Sequence, residues 1–519
     1  MTAAPIRRTL LALLSILLLP WLTVLGDDGR DGNESAGDPL YLTPLINSGQ
    51  LNEARSRSQT GRIGGDELGY VLGYSGYLTV NRELNSNLFF WFIPALNGVV
   101  QGFLQTRLVG RLSQSAHNWN GQTRHPCWFG CKEVPVRHSL LGSFAEHGPY
   151  TLEGSDPPVP VRRSTTWARF FSMLYVDEPV GGGYSFTESE RGYARNVTDA
   201  ARDMLEFLQQ FFTLFPEYAK RDFYLTGESF GGKFVPATAF ALHDAGDSLR
   251  VKIKLKGIAF GNGLTDPPSM IDFGDRLYQL GLVDRKQAAY FDQKRDVALS
   301  LINDGRYDEA AFVVNDLIYN LPNDYYNISS TYFNNVTGYE SYYNLLEIKE
   351  PPDVRSYMDF VQTPALRRAF HVGENAFRDR RPVVTYMMGD LLKSAKSYMP
   401  VLMENYKVLV YSGQLDIVVP YSATEQLFET IPWSGAEAFG TAPRKIWRSP
   451  SESWGRASDT SEHKYVVFGY TRRAKAFREV MIRNAGHFAP HDQPEATLDM
   501  IVRFIFDLPF AEGEDVPQK

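Results

Sequence analysis

One local pattern constrains the fold more than any other: a short apolar run, a Gly-x-Ser-x-Gly turn and an uninterrupted helix. Phe223–Thr226 reads as a strand, Gly227–Gly231 as the turn around Ser229, and residues 232–245 as the helix. A strand that passes directly into a helix is the repeating step of a sheet with helices packed on its faces. Other segments extend that sheet. Residues 73–80 and 87–92 predict paired strands rich in aromatic and β-branched residues. Ser172–Asp177, Ile258–Asn262, Tyr406–Tyr411 and Phe477–Ile482 predict further strands, and residues 198–215 and 495–507 predict amphipathic helices. Strands alternating with helices predict an α/β fold with a mostly parallel central sheet. Between Pro267 and Asp353 the strand signal fades and helical pieces at 285–303 and 308–319 dominate. We therefore expect core residues 27–266, a helical cap insertion at 267–353, and a second core part at 354–519.

The N-terminus predicts where such a chain travels. Arg7 and Arg8 precede the apolar run Leu10–Leu19, which is broken by Pro20 and followed by small residues around Gly26. This is the pattern of a secretory signal peptide over residues 1–26. A membrane anchor is the competing reading, but the run is shorter than the ~20 apolar residues that a span requires. Four Asn-x-Ser/Thr sequons, at Asn33, Asn196, Asn327 and Asn335, fit a glycosylated, secreted or lysosomal protein with no stable membrane span. A net charge of −7 without a long basic run argues against nucleic acid as a partner. The only two cysteines, Cys127 and Cys131, are few for a secreted chain, although a core drawn from 519 residues does not need disulfides.

Ser229 becomes a nucleophile only if a base removes its proton, and that base must be held by a third group. Asp416 follows the strand 406–411 and His487 follows the strand 477–482. Both therefore fall on loops at the carboxyl edge of the sheet, where the Ser229 turn also lies. The chain order Ser, Asp, His is that of the α/β-hydrolase fold.

The motifs around these residues resemble those of a known family. Gly227–Pro236 resembles the nucleophile motif of serine carboxypeptidases, and Leu174–Phe186 is similar to their Asp-x-Pro-Val-Gly signature. Phe144–Pro149, Gly413–Asp416 and Gly486–His487 followed by Asp492–Pro494 also fit, the nearest branch being the vitellogenic-like carboxypeptidases. The resemblance implies an α/β-hydrolase that releases C-terminal amino acids from peptides with a free C-terminus through an acyl-enzyme. It implies Ser229, Asp416 and His487 as the triad, the N–H of Phe230 as an oxyanion donor, and Glu146 and Glu228 as the groups that bind the substrate carboxylate. Two neighbouring carboxyls do not both ionise readily, so one keeps a proton and can donate it. No metal and no cofactor are implied. Oligomeric state is left open, with a homodimer one option.

The chain departs from the family's pattern at two places. The relatives carry Trp-Leu-(Asn or Gln)-Gly-Gly-Pro-Gly shortly before the Glu146 element, and its glycine N–H is the second oxyanion donor. Here residues 97–138 are instead polar, hold both cysteines, and read as a surface loop without strand pattern. Back-translated one base upstream, Cys127–Val136 can read Leu-Val-Trp-Leu-Gln-Gly-Gly-Pro-Gly. This points to a stretch translated out of frame or from a retained intron, as against a genuine insertion. Near Tyr339–Ile348 the relatives' cysteine pair is also absent, both partners together. Two alternatives to an active exopeptidase follow: a catalytically impaired binding or protective protein, and an acyltransferase on the same scaffold.

Overall fold

A computed structural model describes residues 35–64, 68–96, 127–133, 139–154, 158–325, 328–378, 380–449 and 466–514, with the backbone alone at 127–133. The expected signal peptide, Asn33, Asn327 and most of 97–138 lie outside these residues. The chain divides into two units, Met1–Ser35 and Ala36–Lys519, and the second holds all the strands and helices of the described residues.

Twelve strands run in chain order. They are β1 Tyr74–Asn81, β2 Ser86–Ile93, β3 Cys127–Glu133, β4 Tyr150–Glu153, β5 Val159–Arg162, β6 Ser172–Glu178, β7 Phe223–Glu228, β8 Leu255–Gly261, β9 Lys407–Gly413, β10 Lys445–Arg448, β11 Val467–Ala474 and β12 Phe477–Ile482. Ten form one sheet in the order β1-β2-β6-β3-β7-β8-β9-β12-β11-β10, and β4 and β5 form a separate hairpin. The central run from β6 to β12 is parallel, and the pairs at both edges are antiparallel. Strands β2, β6 and β7 are buried along their whole length, which is why they read as unbroken apolar runs rather than alternating ones. The expected helices are Val197–Leu214, Gly231–Ala245 and Pro494–Ile505. Between β8 and β9 the chain is helical, beginning with Pro267–Met270 and including Arg285–Asn303 behind an Asp284 capping box. This is the α/β-hydrolase architecture with a helical cap.

One expectation is corrected. Residues 127–133 are not a surface loop; they form β3, the central strand between β6 and β7. Cys127 to Glu133 pair with Ser172 to Glu178 on one side, and Cys127 to Gly130 pair with Phe223 to Thr226 on the other. The cause is the sheet rather than the segment. Without a strand there, β6 and β7 would each present a row of unpaired N–H and C=O groups inside the protein, at a cost that outweighs a weak local β-propensity.

Candidate active site

The Ser229 turn is built by close backbone approach. Ser229 has φ of +61°, a region that non-glycine residues seldom occupy. Three bonds hold it there. Its N–H donates to Gly261 O at 2.9 Å, and its carbonyl accepts from Gly232 N at 3.0 Å and Leu264 N at 2.8 Å. A side chain at Gly232 would meet the Gly263 backbone at 2.6 Å, so the glycine there lets the helix start directly against the next loop. The helix begins at Gly231, which leaves the Phe230 N–H ahead of the first intrahelical bond.

Asp416 and His487 meet at the same edge of the sheet. His487 Nδ1 lies 2.8 Å from Asp416 Oδ2. A carboxylate only accepts, so Nδ1 carries the proton and Nε2 presents its lone pair. Nε2 is buried with no hydrogen-bond partner among the described residues. Asp416 Oδ1 accepts from Val418 N at 2.9 Å and Val419 N at 3.0 Å, which fixes the carboxylate. Ser229 and His487 line one pocket together with Phe230, Leu264, Leu391 and Val419. The structure thus brings the three expected groups into one site.

The two expected carboxylate-binding groups are both buried, Glu146 at 2% and Glu228 at 3% exposure. Glu228 is the last residue of β7 and adjoins Ser229. Glu146 ends the turn Gly142–Glu146, which packs against the short helix Ala489–Asp492 that follows His487. The sequons that can be placed are Asn196 and Asn335. Asn196 caps the helix Val197–Leu214, accepting from Asp199 N at 2.9 Å and donating to Asp199 Oδ2 at 3.0 Å. Asn335 is exposed on the short helix Tyr332–Thr337. No cluster of side chains suited to a metal ion is found among the described residues.

Several residues with a role in the site carried no expectation. Asn262 donates its amide to Asp416 Oδ2 at 2.5 Å and follows β8 directly. The strand-end pattern that marked Asp416 and His487 marks it equally. Tyr343 accepts the His487 N–H on its carbonyl at 2.6 Å and stacks its ring on the imidazole, with centroids 5.2 Å apart. Tyr319, Tyr342 and Leu321, from the same helical region, line the pocket. Lys233, one turn after Ser229, is buried with its Nζ 2.8 Å from Asp390 Oδ2 and 4.7 Å from the Phe230 ring. Burial pushes its pKa down even though Asp390 pulls the other way.

Comparison with known proteins identifies the family. A model of the serine carboxypeptidase family matches residues 135–507. The venom serine carboxypeptidase of Apis mellifera is 39% identical over 473 residues, covering 91% of this chain and 91% of that protein. The probable serine carboxypeptidase CPVL of Homo sapiens is 39% identical over 477 residues, covering 91% and 90%. The vitellogenic carboxypeptidase of Aedes aegypti is 36% identical over 473 residues, covering 90% of each. A solved prohormone-processing carboxypeptidase from Saccharomyces cerevisiae shares the fold, with a TM-score of 0.67 at 18% identity over 87% of this chain and 96% of that one. The chain belongs to the serine carboxypeptidase family.

Proposed function

We propose that Ser229, His487 and Asp416 perform the family's peptide hydrolysis as nucleophile, base and orienting group. His487 Nε2 takes the Ser229 proton as the hydroxyl attacks the last peptide carbonyl, and returns it to the departing amino acid. Water then attacks the acyl-enzyme, again through His487. The Phe230 N–H stabilises the oxyanion. Glu228 and Glu146, both withdrawn from water, hold the free C-terminal carboxylate by sharing a proton with it, which makes an acid medium the working condition. The apolar walls Leu264, Leu391 and Val419 favour an apolar residue on the acyl side. The N-terminal segment and sequons support entry into the secretory pathway, to a secreted or lysosomal destination.

The observation that carries this reading is the 2.8 Å bond from His487 Nδ1 to Asp416, with Nε2 free beside a Ser229 held at positive φ. Replacing Ser229 by Ala should abolish release of the C-terminal residue from a blocked dipeptide without lowering Tm. Near wild-type turnover in that variant would remove Ser229 as nucleophile. The reading of a catalytically impaired relative rests on residues 97–138 alone.

A further inference from the structure

Behind the catalytic histidine lies a charged network that the triad chemistry does not use. His491 sits on the short helix Ala489–Asp492 and is hydrogen-bonded through both ring nitrogens. Nδ1 lies 2.9 Å from Asp492 Oδ1, and Nε2 lies 3.1 Å from Asp353 Oδ2. Carboxylates accept only, so both nitrogens must donate and the ring is an imidazolium. Asp492 spends its other oxygen on the site itself, where Oδ2 accepts from Gly486 N at 2.7 Å and from Asn344 Nδ2 at 2.8 Å. Asp353 stands in the first turn of helix Pro352–Val361.

The segment that Asp492 holds is a strap across the two loops that carry the base and its orienting acid. Tyr343 O accepts from His487 N at 2.6 Å, and Leu345 N donates to Leu415 O at 2.9 Å, next to Asp416. At Gly486 there is no room for more than hydrogen, because a side chain would meet Tyr343 O at 2.4 Å. The strap thus supports His487 at its backbone N–H and at the face of its ring, beside the Asp416 bond, and Asp492 holds both the strap and Gly486.

We propose that His491 is a positioning residue: its ring ties the Asp353 helix to the carboxylate that clamps Gly486 and Asn344, and so aligns His487 with Ser229. This rests on the triad reading above. The chemistry agrees with the geometry. Asp353 and Asp492 together raise the His491 pKa to about 9, against the opposing effect of burial. Arg163 interacts electrostatically with Asp353, and the turn Gly142–Glu146, which ends on Glu146, packs against residues 489–492. Loss of the proton removes one of the two donors and leaves one carboxylate without its partner, so the tie loosens as the pH rises through that value.

The test uses the full-length protein and a blocked amino-acid nitrophenyl ester, which has no C-terminal carboxylate and so bypasses Glu146 and Glu228. In the wild type, kcat should fall above about pH 9. His491→Phe should lower kcat by about tenfold at acid pH with KM within twofold, the size of effect expected of a small misalignment. His491→Arg, which keeps two donors and does not titrate, should recover most of kcat and show no fall up to pH 10. A wild-type kcat in His491→Phe, or the same alkaline fall in His491→Arg, overturns the proposal. If His491→Phe does not fold, by thermal melt, the pH profile of His491→Arg decides alone. Ester turnover that survives Ser229→Ala would instead overturn the triad reading, whatever the position 491 variants show.

Discussion

Asn262 Nδ2 lies 2.5 Å from Asp416 Oδ2, the same oxygen that accepts from His487 Nδ1 at 2.8 Å. The Asp416 carboxylate therefore has all its bonding directions assigned, two backbone N–H groups on one oxygen and an amide and an imidazole on the other. Asn262 is also held at φ of +48°, with its own N–H donating to Tyr411 O. It couples the end of β8 to the end of β9, and through Asp416 to the histidine.

That coupling can be measured with Asn262→Gly, which accepts the positive φ and removes only the amide. We expect kcat to fall on the order of tenfold with KM little changed, as the loss of one charge-assisted hydrogen bond predicts. A kcat within twofold of wild type would show that the two backbone bonds alone hold Asp416.

The carboxyl pair predicts a dependence on the substrate's own terminus. Turnover of a free-acid peptide should decline as the pH rises from acid to neutral, because a doubly ionised pair repels the substrate carboxylate. The amidated peptide should lack that decline, and Glu228→Gln should flatten it. Identical pH profiles for the free acid and the amide would leave Glu146 and Glu228 without this role.

Stability should follow the pH in the same direction. Burial raises the Asp177 pKa to about 6 from 3.8, beyond what its bonds from Ser139 and Tyr184 offset. The unfolded chain gives up this proton first, so stability present below about pH 4 is lost as the pH rises to about 6. The difference in pKa amounts to about 3 kcal/mol. His491 has its pKa raised, so its contribution is full below 6.5 and is lost as the pH rises to about 9. Asp353 runs the other way and only in stronger acid: its pKa is lowered, so its contribution is full above 3.8 and fails below that. We expect Tm to be higher near pH 5 than near pH 8.5, and Asp177→Asn to remove part of the fall between pH 4 and 6. A Tm that rises or stays level over this range would contradict the assignment.

These contacts also show what a sequence can and cannot reveal. Strands β6 and β7 were legible because burial on both faces writes itself as a largely apolar run. The edge strand β10, Lys445–Arg448, is four residues long with two at least partly exposed basic ends, and it leaves no such trace. Strand β3 was hidden for a different reason. Its place is dictated by the open edges of β6 and β7, which are remote in sequence. In the site, Ser229, Asp416 and His487 were legible because each follows a strand at one edge of the sheet. Tyr343 was not, because it meets His487 across 144 residues from a region without strand rhythm. His491 carried no expectation, because its partner Asp353 lies 138 residues away in the sequence.

Residues 97–138 carry the sharpest expectation. Strand β3 spans Cys127–Glu133, and the shifted-frame peptide Leu-Val-Trp-Leu-Gln-Gly-Gly-Pro-Gly falls on these positions from Cys127 onward. Translated as it stands, the chain runs on from β3 as Val134-Pro-Val-Arg-His138. No glycine follows to turn a second N–H toward the oxyanion. We expect the native transcript to encode the shifted reading, and the protein made from it to hydrolyse blocked dipeptides about 10²–10³-fold faster than the chain with Cys127–Glu133, the usual value of one oxyanion donor. Sequencing the transcript across codons 90–150, with mass spectrometry of tryptic peptides from the source tissue, decides it. Recovery of the tryptic peptide His125–Lys132 would establish the segment as genuine and shift the weight to a catalytically impaired protein. Recovery of a peptide containing Trp-Leu-Gln-Gly-Gly-Pro-Gly would establish the frame error and restore the second donor to the site.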